Sequence, residues 1–148
     1  MSAQGGTPIR RVVTGHDAEG RARFRSDDQF ELKTVASGDA DFALLWTTAT
    51  VPADNNDETD VRSRDAGLTL NSGSVIRVVD MLPGGASPMH RTNSIDYGIV
   101  LSGQLELELE DGFFFHLAEL GLADDVELPA GELAGEANVL ALAADGER

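Results

Sequence analysis

Leu105, Leu107 and Leu109 alternate with Glu106, Glu108 and Glu110, and no other stretch constrains the fold so tightly. A period of two belongs to an extended strand with leucines on one face and carboxylates on the other. Asp111-Gly112 follows, a dipeptide favoured in two-residue hairpin turns, and the chain returns through Phe113, Phe114, Phe115, His116 and Leu117. The same alternation assigns Phe115 and Leu117 to the core. His116 and the glutamates face water.

Other segments read the same way. Residues 10–24 hold two short extended runs around the turn formers Asp17, Ala18, Glu19 and Gly20, which predicts a hairpin. Phe42 to Thr50 and Ser74 to Leu82 are apolar, β-branched runs ended by proline-containing turns, and both read as strands. Between them residues 52–73 form a polar, acidic loop; a loop of this length in a compact domain is usually functional or mobile, and a lid is one reading. Val126 to Leu128 and Val139 to Leu142 would supply closing strands. With 16 Gly, 5 Pro and 148 residues, the pattern predicts one all-β domain spanning 1–148, a sandwich or small antiparallel barrel whose core lies in 74–142.

The formal charge of −15 is unevenly spread, because every basic residue beyond Arg91 except Arg148 is missing while acidic residues continue. Such a field repels phosphate backbones and anionic headgroups, so neither nucleic acid nor membrane is an expected partner. No apolar run is long enough to span a bilayer and the N-terminus lacks the parts of a signal peptide, so a soluble, cytoplasmic protein is expected. The chain has no cysteine, which removes disulfides and thiolate chemistry and leaves His, Asp and Glu as metal ligands.

Residues 84–103 run Gly84, five residues, His90-Arg91-Thr92, three residues, Asp96, six residues, Gly103. This resembles the first motif of the cupin superfamily: Gly, five residues, His-X-His, three or four residues, Glu, six residues, Gly. His90 occupies the first His position, Thr92 the second, and Asp96 the Glu position. Ala123, Pro129, Gly131, Ala134 and Asn138 fall on the second motif with Ala134 where its His belongs; an equally fair alignment makes Glu136 to Leu142 the last strand. The stretch from Met89 to Gly103, with Arg10 to Arg21 and Leu45-Trp46-Thr47 through Asn55, resembles a branch of small single-domain bacterial and fungal cupins. That likeness covers most of residues 9–112 and fades after Gly112.

The resemblance implies an all-β cupin fold, a jelly-roll barrel with His90, Thr92 and Asp96 lining its interior, without implying one reaction. A tight transition-metal site needs three or four protein ligands, and only His90 and Asp96 are on template. The expectation is therefore no resident cofactor and a small-molecule enzyme of lyase or isomerase type, such as a dehydratase, cyclase or decarboxylase of a carbonyl compound. His90 would be the acid–base group, Asp96 its orienting partner, and Thr92 and Arg77 substrate binders. One alternative is a metal-dependent oxygenase or decarboxylase holding Fe, Zn, Mn or Ni on His90, Asp96 and a further ligand. Another is a cupin that binds a small molecule without catalysis. A homodimer is expected, since small sheets leave an edge that needs covering.

Overall fold

The computed structural model describes residues 7–118 and 137–145, and these are built of strands joined by turns and one 3-10 turn. β1 (Ile9–His16) and β2 (Ala22–Phe30) form the N-terminal hairpin. Its turn closes through Asp17, whose carbonyl accepts from Gly20 N, and Gly20 takes φ +77°, a conformation that costs glycine little. β3 (Lys33–Thr34), β4 (Ala40–Thr48), β5 (Ser74–Met81), β6 (Ser94–Ser102) and β9 (Ala137–Asp145) form a five-stranded antiparallel sheet in the order β3-β4-β5-β9-β6. β7 (Gln104–Glu108) and β8 (Phe114–Ala118) make a separate hairpin. The all-β class is as expected, and the described ladders group into three sheets. Among the described residues no helix is long and apolar enough to cross a membrane.

β5 is the most buried of the strands whose burial is described: it is paired on both sides, with β4 and β9, and its runs of Val fill both faces. Val75, Val78 and Val79 join Ala40, Ala43 and Val100 in a core of small side chains. Gly73 lets β5 begin tight against β4: a Cβ there would collide with the carbonyl oxygen of Thr48. Val139 to Leu142, expected as a closing strand, lies within β9 between β5 and β6. The expected strand at Val126 to Leu128 and most of the second motif lie outside the described residues.

The loop at 52–73 is anchored: Val61, only 2% exposed, plugs into the body at the head of the 3-10 turn Val61–Ser63. Asp60 caps that turn by accepting from Arg62 N at 2.8 Å, and Arg64 pairs with Asp57 at 2.6 Å. In the β7–β8 hairpin the turn is as expected, with Leu109 N donating to Phe113 O, but Leu107, Leu109, Phe113, Phe114, Phe115 and Leu117 are all exposed. Alternation sorts side chains between faces; a second layer must cover a face to make it core, and none of the described residues does so here. His116 faces Glu106 across the ladder, 3.7 Å from its carboxylate, on the exposed side predicted for both.

Candidate functional site

His90 and Thr92 lie in the loop between β5 and β6, and Asp96 is in the first turn of pairing of β6. All three are exposed, so the enclosed setting expected for them is not found among the described residues. The reason is local: β6 starts at Ser94, so the two loop residues never acquire the same-face geometry that strand residues two apart would share. β6 is also the outermost strand of its sheet, with β9 as its one partner there, and Tyr97 on its other face is 61% exposed.

No hydrogen bond between His90 and Asp96 is present among the described residues. Asp96 accepts from Ser94 Oγ at 2.9 Å and, more weakly, from Thr92 Oγ1 at 3.5 Å. His90 Nδ1 lies 2.9 Å from the carbonyl oxygen of Pro88. A carbonyl can only accept, so Nδ1 carries a proton, and in the neutral ring the lone pair is on Nε2. The backbone of Pro88 thus does for the imidazole what Asp96 was expected to do. Thr92 Oγ1 also lies 3.4 Å from the carbonyl oxygen of Ser94.

Arg77 is where the sheet adds something. Its position on β5 pairs with Ala141 of β9, which pairs with Gly98 of β6, and Asp96 lies two residues from Gly98 on the same face. Arg77 is 8% exposed, rests against the Phe42 ring with its guanidinium carbon 5.5 Å from the centroid, and donates through Nη2 to the carbonyls of Gly67 and Leu68. Burial pushes its guanidinium below the usual arginine range, and the Asp96 charge acts against that push. Its Nε and Nη1 have no hydrogen-bond partner among the described residues, leaving donors for an anionic group.

A further cavity, of about 350 Å³, opens between the N-terminal hairpin, the end of β4 and the acidic loop. Trp46 and His16 line it. His16 is the last residue of β1 and is half-buried. Sequence reading missed this cleft because its walls come from three segments far apart in the chain; the one usable signal was a tryptophan beside a long polar loop.

Cupins with the intact motif hold a metal on imidazoles and a carboxylate. Among the described residues no three His, Cys, Asp or Glu side chains converge to hold an ion. The described residues therefore do not fit a complete transition-metal shell.

An all-β framework with the motif spacing on the entry to β6 defines a cupin-type protein, and comparison with known sequences agrees. The chain is 41% identical over 109 residues to Phomopsin biosynthesis cluster protein C' of Diaporthe leptostromiformis, a match spanning 69% of this chain and 58% of that protein. It is 36% identical over 108 residues to a cupin-domain-containing oxidoreductase of Aspergillus ruber (70% of this chain, 53% of that protein) and 34% identical over 114 residues to one of Neurospora crassa (74% and 58%). The chain belongs to the cupin superfamily. It spans little more than half the length of these relatives. No family model matches it.

Proposed function

We propose that the chain is an enzyme acting on a small carbonyl compound, with His90 as the proton-transferring group. The observation that carries this is the His90 Nδ1 to Pro88 carbonyl hydrogen bond, which presets the tautomer with a basic Nε2. In such a reaction Nε2 takes a proton from the carbon next to the carbonyl and the electron pair moves to oxygen as an enolate. The proton is then returned to another carbon, giving an isomer, or to a departing hydroxyl, giving water and an unsaturated product. Arg77, a buried cation whose Nε and Nη1 have no hydrogen-bond partner among the described residues, suits the enolate or a carboxylate of the substrate. Thr92 and Asp96 supply a polar rim.

A second reading, oxidoreductase chemistry, is favoured by the names of the Aspergillus and Neurospora relatives. The two are separated by incubating the protein in D₂O with a panel of aldehydes and ketones. Loss of α-proton signals by NMR without oxygen uptake, abolished in His90→Ala, supports proton transfer. Substrate-dependent oxygen uptake that survives His90→Ala supports the second reading.

A further inference from the structure

The cleft between the hairpin and the acidic loop has a charge pattern that selects a ligand. Four carboxylates (Asp54, Asp57, Glu58, Asp60) and two guanidinium groups (Arg11, Arg25) line it. Both arginines are already paired: Arg11 with Asp28 at 2.9 Å and with the Leu45 carbonyl at 2.8 Å, Arg25 with Glu58 and with the His16 carbonyl. Asp57 is taken by Arg64 and Asp60 by Arg62. That leaves Asp54, which forms no ion pair among the described residues. Its Oδ1 accepts from Asn56 N at 2.9 Å and Asn56 Nδ2 at 3.2 Å, and its Oδ2 has no partner among the described residues.

Apolar side chains also line the cleft, Trp46, Val13 and Ala53, with the Arg11 guanidinium carbon 5.5 Å from the Trp46 ring centroid. We propose that this cleft is a binding site for a small molecule carrying a protonated amine on an aromatic or aliphatic body. The amine is held at Asp54 Oδ2 and the body lies against the Trp46 indole. An anion is disfavoured because both guanidinium groups lining the cleft are ion-paired and the four carboxylates outnumber them. A volume of about 350 Å³ lies at the lower end of the usual range for ligand pockets. This site is separate from His90 and does not depend on the reaction proposed above. Thr47, at the cleft, shares a row of the sheet with Val75 and Asp96 and stands three strand spacings from the latter, on the order of 14 Å.

Trp46 is the only tryptophan in the chain, so intrinsic fluorescence reports occupancy of this cleft directly. The full chain is titrated at neutral pH with 2-phenylethylamine, with the isosteric alcohol 2-phenylethanol, and with phenylacetate. Saturable change is expected with the amine, weaker binding with the alcohol and none with phenylacetate. Asp54→Asn keeps the acceptor for Asn56 and should weaken amine binding about tenfold or more, as for loss of a charge-assisted hydrogen bond. Ala53→Met, which fills the cleft without altering its charge, should block the amine and decides the location if Asp54→Asn misfolds by circular dichroism. The proposal is overturned if the amine gives no saturable signal, if phenylacetate binds as tightly, or if the amine binds unchanged to folded Asp54→Asn or to Ala53→Met.

Discussion

Arg77 on β5 and Asp96 on β6 occupy one face of the sheet with β9 between them, and the carboxylate's field opposes the effect of burial on the guanidinium. The pair links the buried centre of the sheet to its exposed edge. Arg77→Met keeps most of the volume but leaves the Gly67 and Leu68 carbonyls without their donor, and should cost about 1–3 kcal/mol in urea denaturation. Asp96→Asn, at an exposed site, should cost under about 1 kcal/mol. Equal losses from the two substitutions would show that Arg77 is not anchoring the 67–68 segment.

His90→Ala should leave stability within about 0.5 kcal/mol of the parent, because the side chain is exposed and its one hydrogen bond is to a loop carbonyl. Turnover of any carbonyl substrate should fall about 10²- to 10⁴-fold. Asp96→Asn should cost far less activity, since no hydrogen bond or ion pair joins it to His90. Steady-state kinetics on both variants tests this; a collapse in Asp96→Asn with full activity in His90→Ala would reverse the roles.

The acidic loop should resist mild acid. Hydrogen bonds from Thr59 and then the Arg64 guanidinium hold the Asp57 carboxyl down to about 2, below its ordinary 3.8. A group depressed in the folded state contributes fully above its unfolded value and loses that contribution as pH falls through the folded one. The Asp57 contribution is thus present at neutral pH and disappears between 3.8 and about 2. Urea midpoints of Asp57→Asn and parent should converge across that window and differ above it; a constant gap at every pH would contradict the assignment.

Val61→Ala removes the apolar plug that seats the 3-10 turn and should cost about 1–3 kcal/mol, with new protease cleavage between residues 52 and 73. Cleavage no faster than in the parent would mean that the Asp57–Arg64 and Asp60–Arg62 contacts hold the loop unaided.

Strands were legible where a period of two or a β-branched run met a turn former, as at β1–β2, β4, β5 and β7–β8. Two things were not. Whether a face is covered depends on a second layer, which is why Leu107 and Phe115 read as core yet stand exposed. A motif fixes residues by counting, whereas the start of β6 is fixed by where its pairing with β9 begins, opposite Asp145 at Ser94. His90 therefore kept its place in the count and lost its expected strand geometry. The role of Pro88 was invisible because a backbone carbonyl carries no side-chain signature, and Val61 stands between charged neighbours, Asp60 and Arg62, in a stretch read as a polar, acidic loop.

The position of β9 sets an order on assembly. Residues 137–145 are inserted between 74–81 and 94–102, so during synthesis β5 and β6 leave the ribosome well before the strand that joins them. Until then each has an open edge, and the chain must hold two half-sheets in reach of one another without closing either on a neighbouring nascent chain. A stop codon ahead of residue 137 would thus remove the seam of the sheet and not merely trim its margin.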